Sequence, residues 1–238
     1  MVDFEAYRIY LAEHEDEWRV LDGLCRITIS RFYRDRHVFD VLRTIVLPEL
    51  ARRALARGAP GLRCWSAGCA SGEEPYTLVL IWRLELESRF PELPLTVVAT
   101  DSDPVLLGRA ERACYSESSL HELPRSWKDE AFSIAGEELC LDERFKAGVG
   151  FRFQDVRGEP PEGGFDLVLC RNLVFTYFEP GLQREIQSKL AESIFPGGAL
   201  VVGAHETPLP GDFEPWLARA GVYERVESRN PPTARVPR

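Results

Sequence analysis

The chain has 238 residues, 45% of them hydrophobic and 28% charged, which suits one globular domain with a sizeable core. Its 29 Lys+Arg against 38 Asp+Glu leave a net charge of −9, an argument against a nucleic-acid partner, whose phosphates want a basic face. No apolar run reaches the roughly 18 residues of a membrane span, and the N-terminus, MVDFEAYRIYLAEHEDEW, is too charged for a secretory signal. The expectation is a cytoplasmic protein without membrane insertion. Cys25, Cys64, Cys69, Cys114, Cys140 and Cys170 form no C-x-x-C pair, and His14, His37, His121 and His205 lie far apart. Buried, reduced thiols are expected, with no metal site and no disulfide framework.

In chain order, residues 3–24 place Phe4, Tyr7, Ile9, Tyr10, Leu11, Trp18, Leu21 and Leu24 mostly at three- and four-residue steps, as in one or two amphipathic helices. A further helix covers about 36–57, where Pro48 is expected to break or kink it and Gly58 and Pro60 to stop it. The helical segment 1–57 then gives way to alternating units. LRCWS (62–66) reads as a strand, AGCASG (67–72) as a turn and PYTLVLIWRLELESRF (75–90) as a helix with Pro75 in its first turn. LTVVAT (95–100) is a second strand and PVLLGRAERACY (104–115) a helix. FDLVLC (165–170) is a strand, GLQREIQSKLAESI (181–194) a helix and ALVVGA (199–204) a strand. FEPWLARAG (213–221) reads as a last helix before the strand VYERVE (222–227).

Continuous apolar strands alternating with helices predict an α/β fold: a doubly wound, Rossmann-like, mostly parallel sheet over 58–227, after a short N-terminal helical segment. Between Tyr115 and Phe151 the rhythm lapses, and 131–153 reads as a small inserted β-hairpin. The Pro-rich end, 228–238, is expected to be a disordered tail.

In such a sheet, ligands bind beyond the carboxyl ends of the strands. Gly68 and Gly72 form G-x-x-x-G, and neither a dinucleotide fingerprint nor a P-loop is present. Glu73 and Glu74, which follow at once, would repel a pyrophosphate and favour a ligand carrying positive charge. The ordinary alternative is a tight turn with acids suited to the helix dipole. Asp101 ends the second strand, where an acid can accept from two ribose hydroxyls. Asp103-Pro104 already supplies a helix cap, which leaves Asp101 for a ligand. Arg171 and Asn172 sit at the tip of FDLVLC and should line the same crevice. TISRFYRD (28–35) reads as a helix start with Ser30 as its cap. His205-Glu206 is a weak acid/base candidate, with no serine or cysteine motif near it.

CWSAGCASGEEPYTLVL, ATDSDPVLLGRAERACY, FDLVLCRNLVFTYF and PGGALVVGAHE, in that order, resemble the successive blocks of CheR-type chemoreceptor methyltransferases, and TISRFYRD resembles the segment before their catalytic domain. The resemblance runs from about residue 4 to residue 206. It implies S-adenosyl-L-methionine as cofactor, S-adenosyl-L-homocysteine as product, and esterification of protein glutamates. The family's cofactor contacts fall on Thr28, Ser30, Arg34, Glu74, Asp101, Arg171 and Asn172, with Gly68 in the turn. Asp155 and Val156 stand where the family has an Asn-Leu pair. The tyrosine near the transferred methyl falls on Thr176 or Tyr177, because LVFTYF carries one extra residue; Tyr177 is preferred. Arg34 and Tyr177 are the candidates for orienting the acceptor, and Arg34 has holding the methionine carboxylate as its alternative role. The family's G-H-S-E reads G-A-H-E, and the residues before TISRFYRD are few and acidic where the family has a basic helical domain. A small-molecule acceptor and a cofactor-binding regulatory module without catalysis are therefore the competing readings.

Overall fold

The computed structural model describes residues 4–14, 16–17 and 30–226. Thr28, Cys25, the 18–29 part of the N-terminal helical expectation and the expected tail 228–238 lie outside the described residues. Helix α1 is Phe4–Glu13. Helix α2 (36–56) runs through Pro48 unbroken, because the turn before it, Leu42–Val46, widens to π geometry. Proline removes an N–H and its ring crowds the carbonyl four residues back; a π turn relieves both without ending the helix. The expected break at Pro48 is thus absorbed as a local widening. The expected helix start at Ser30 is instead a turn over 32–35 in which Tyr33 and Asp35 have φ of 60° and 63°.

Among the described residues the main sheet has seven strands: β1 (Leu62–Ala67), β2 (Leu95–Asp101), β6 (Val149–Phe153), β7 (Phe165–Leu169), β8 (Ile194–Val201), β9 (Phe213–Leu217) and β10 (Val222–Arg225). Their order across the sheet is β6-β2-β1-β7-β8-β10-β9. β6, β2, β1, β7 and β8 are parallel, whereas β10 pairs antiparallel with both β8 and β9. Helices α3 (Glu73–Ile81), α4 (Pro104–Arg112) and α8 (Pro180–Ser193) connect them, with the short helices α5 (Arg125–Ala131) and α6 (Glu143–Lys146) between β2 and β6. The two-residue period of the strands sorts the core. Cys64, Leu167, Leu169 and Val201 pack in one cluster with Leu42 and Leu50 of α2 and Leu78 of α3. Trp65, Val168, Leu200 and Val202 pack on the other face with Ile186 and Leu190 of α8. Residue 57 therefore marks a change of rhythm and not a gap between cores.

Three expectations are corrected here. FEPWL forms the edge strand β9 and not a helix; Phe213, Trp216 and Leu217 have helical spacing, but Pro215 is tolerated on a sheet edge. Only part of 131–153 is an inserted hairpin. β4 (Phe132–Ala135) and β5 (Glu138–Leu141) join β3 (Cys114–Tyr115) in a three-stranded sheet, while β6 belongs to the main sheet. Finally, Cys114 and Cys140, expected as reduced thiols, are joined by a disulfide. They are 26 residues apart, and only the β3–β5 register sets them opposite each other. Cys64, Cys69 and Cys170 are free and buried, as expected.

Candidate active site

Strand register brings the sequence-predicted residues to one edge. Ala67 pairs with Thr100, Ser66 with Leu169, and Asp101 with Phe153. The turn after β1, Asp101, the loop after β6 and Arg171-Asn172 therefore leave the sheet side by side at its carboxyl edge.

The turn 67–72 is compact because three of its residues take left-handed backbone: Gly68 (φ 78°), Ala70 (φ 48°) and Gly72 (φ 90°). The N–H groups of Gly68 and Cys69 both donate to the Thr100 carbonyl, at 2.8 and 2.9 Å. A Cβ at Gly68 would come within 2.6 Å of Leu173, and one at Gly72 within 2.9 Å of Ala110, so both glycines are required by conformation and by space. Asp101 accepts from Ala70 N at 2.8 Å and from Asp103 N at 2.9 Å, which orients its carboxylate against the turn. Asp103 caps α4, accepting from Val105 and Leu106 N–H. Burial pushes the Cys69 and Cys170 thiols well above their ordinary range, so neither is a ready nucleophile.

Glu74 and Arg171 form the buried centre of this edge. Glu74 accepts from Ser66 Oγ at 2.7 Å and from Arg171 Nη1 at 3.1 Å. Arg171 Nη2 reaches Asp35 Oδ2 at 2.6 Å and the Arg34 carbonyl at 3.0 Å, and the guanidinium lies 5.1 Å over the Phe39 ring. The Arg171 side chain is only 4% exposed, and its Nε has no hydrogen-bond partner among the described residues. Arg171 thus ties the 34–35 turn and the start of α2 to the first turn of α3. Its partner Asp35 was not singled out from sequence; nothing in RFYRD signals a contact 136 residues away.

Other predicted positions are placed as follows. Arg34 is half-buried in that tied turn. Asp155 caps its own loop, accepting from Arg157 N and forming an ion pair with the Arg157 side chain at 2.5 Å. Those Arg157 hydrogen bonds hold its carboxyl below the usual range. Val156 packs partly buried against the α8 face of the core. Asn172 has φ 52°, and its amide lies over Gly203, where a Cβ would come within 2.6 Å. Thr176 and Tyr177 fall in α7 (Val174–Tyr177); the Thr176 hydroxyl donates to Glu206 at 2.5 Å, while Tyr177 is 68% exposed. Ser30 does not join this group. It lines a polar cavity of about 660 Å³ with Ser71, Glu73, Tyr115 and Ser119, which borders the turn but lacks Asp101, Asp155, Arg171 and Asn172 in its walls. Glu73 is buried there and accepts from Ser71 and Ser119 hydroxyls.

Among the described residues, no group of three or more His, Cys, Asp or Glu could hold a metal ion, and no helix is long and apolar enough to cross a membrane. His37, His121 and His205 are exposed.

The chain matches the family "CheR methyltransferase, SAM binding domain" over residues 28–216. It is 34% identical over 192 residues to the chemotaxis protein methyltransferase of Listeria monocytogenes, covering 80% of this chain and 70% of that protein. It is 34% identical over 198 residues to the probable chemotaxis protein methyltransferase of Rhizobium etli, with 81% and 72% covered. To the chemotaxis protein methyltransferase of Borreliella burgdorferi it is 27% identical over 210 residues, with 86% and 74% covered.

Proposed function

Since the chain belongs to the CheR methyltransferase family and is an S-adenosyl-L-methionine-dependent methyltransferase, we propose that its methyl acceptor is a carboxylate, first of all a protein glutamate in a chemoreceptor-like partner. The observation that carries the acceptor reading is the likeness to chemotaxis protein methyltransferases; the shared carboxyl edge, where the Gly68–Gly72 turn, Asp101 and Arg171-Asn172 come together with no phosphate-binding signature, supports the cofactor part of it.

The residues there fit the cofactor. Asp101, held by two backbone N–H groups, is the acceptor for the ribose hydroxyls. The backbone of the Gly68 turn lies alongside the ligand, and Asn172, Asp155 and Val156 complete the crevice. The buried Arg171 Nε, without a hydrogen-bond partner among the described residues, adds a donor beside Glu74. Glu74 is already paired with Arg171, so its part is to hold the local charge balance as much as to meet a cation. Arg34 borders the crevice from the segment that Arg171 ties down. When bound, the cofactor supplies an electrophilic methyl on a cationic sulfur.

The chemistry asks little else of the chain. A glutamate acceptor, with a reference pKa of about 4.3, is ionised at pH 7 and needs no general base. It needs placement in line with the methyl and partial loss of water. The exposed His37, His121 and His205 are consistent with that, and Tyr177, exposed beside the edge, orients the acceptor.

Calorimetric titration with S-adenosyl-L-homocysteine tests the cofactor site. Saturable binding is expected, weakened at least about tenfold (1.4 kcal/mol) in Asp101→Ala. Unaltered affinity in that variant would remove Asp101 from the site. The acceptor is tested with radiolabelled cofactor and chemoreceptor cytoplasmic fragments: base-labile methanol is expected, and label stable to base would refute a carboxyl ester.

A further inference from the structure

We propose that Glu206 is a positioning residue for the cofactor site, acting through Thr176 and the β7–α7 loop, and that the extra residue in LVFTYF makes Thr176 an inward anchor while Tyr177 is the one presented outward. The proposal rests on the methyltransferase reading of this edge.

Glu206 is buried, 7% exposed, yet all its partners among the described residues are neutral donors. Its Oε2 accepts from Asn172 N at 2.7 Å and Gly203 N at 2.6 Å. Its Oε1 accepts from Leu173 N at 3.1 Å and Thr176 Oγ1 at 2.5 Å. A carboxylate taken out of water persists only where such donors replace its hydration. Here the four donors come from the exits of two neighbouring strands, β7 and β8, so one side chain locks both to each other.

The loop it locks turns sharply: Asn172 has left-handed backbone, a conformation that among non-glycine residues asparagine and aspartate adopt most readily. Gly203 leaves no room for movement: a Cβ there would lie 2.7 Å from Glu206 Oε2. The lock also reaches the cofactor turn, because Leu173, whose N–H is bound by Glu206, lies where a Gly68 Cβ would come within 2.6 Å. Displacing Leu173 therefore displaces the wall of the Gly68 turn. Thr176, the fourth residue after Asn172, spends its hydroxyl on Glu206, and Tyr177 stands 68% exposed. The pairing of Glu206 with the adjacent His205 as an acid/base couple is not made, since His205 is exposed and the carboxylate is fully engaged.

The test is calorimetric affinity of the full chain for S-adenosyl-L-homocysteine in Glu206→Gln, Thr176→Val and Thr176→Ser, with Asp166→Asn as a control. Asp166 is another buried acid, at the opposite end of β7, where it binds Arg57 and Arg63 N. An amide in place of the Glu206 carboxylate loses the acceptor for two donors, so affinity should fall about tenfold or more. Thr176→Val removes one hydroxyl and should weaken binding about three- to tenfold, with Thr176→Ser restoring it to within about twofold. Asp166→Asn should lower the melting temperature and leave affinity unchanged. Should Glu206→Gln fail to fold, the Thr176 pair decides. Wild-type affinity in Glu206→Gln and Thr176→Val, or an equal loss in Asp166→Asn, overturns the assignment alone; no binding by the unaltered chain overturns the cofactor reading beneath it.

Discussion

Replacing Arg171 with Ala should destabilise the fold and open the site together. The guanidinium is 4% exposed and holds Glu74, Asp35 and the Arg34 carbonyl. Removing one partner of a buried ion pair costs about 3–5 kcal/mol, because the other charge stays behind. Asp35, with its side chain 36% exposed, can return to water, whereas Glu74 at 16% keeps, among the described residues, Ser66 as its partner. We therefore expect a loss near the lower bound, about 3 kcal/mol. With an m-value of about 2–3 kcal/mol/M, the urea midpoint should fall by about 1–1.5 M. Arg171→Ala/Glu74→Gln should recover part of the loss, since the stranded charge is gone. The effect should also persist in about 1 M salt, where the Debye length is about 3 Å but buried pairs are barely screened. A loss under about 1 kcal/mol that vanishes with salt would show a solvated surface pair and refute the tie.

Three more outcomes follow from the geometry. Gly72→Ala meets both a left-handed backbone and a contact 2.9 Å from Ala110, for a cost of about 2–4 kcal/mol, whereas Gly58→Ala, with φ 68° and open space, should cost about 1–2 kcal/mol; equal losses by urea denaturation would refute the steric part. Burial raises the Cys64, Cys69 and Cys170 thiols above their ordinary 9.0, and the Tyr33, Tyr76 and Tyr115 hydroxyls above 10.0. The folded state therefore holds these protons more tightly than the unfolded chain, so stability is complete below pH 9 and falls as pH rises beyond it; urea midpoints that stay flat from pH 8 to about 10.5 would contradict this. The Cys114–Cys140 bridge closes a 26-residue separation, worth up to about 3.5 kcal/mol by the chain-entropy model, so reductant should lower stability in the parent and not in Cys114→Ser; non-reducing peptide mapping checks the link.

That the candidate residues share one edge of the sheet is legible because the signals are local. A strand, a turn bearing Gly68 and Gly72, an acid ending the next strand and a polar pair ending a third are each read within a few residues, and the parallel register then sets them side by side. What failed was decided at longer range. β6 reads as part of a hairpin because an edge strand need not be a continuous apolar run; Phe153, at its end, is 69% exposed. FEPWL has helical spacing, and its strand exists only because β10 offers it a partner.

The sequence by itself determined the alternation of buried strands and helices, hence a doubly wound sheet, and the positions where the chain leaves that sheet with chemistry-bearing residues. These follow from hydrophobic period and backbone permissiveness, both properties of neighbouring residues. Only the tertiary structure decided which polar groups spend themselves on one another. Arg171 on Asp35, Glu206 on Asn172, Leu173, Thr176 and Gly203, and Cys114 on Cys140 are partnerships across 26 to 136 residues, apart from the nearby Gly203. Burial makes an unmet charge or donor costly, and which partner meets it depends on where the strands bring it, which no local pattern records.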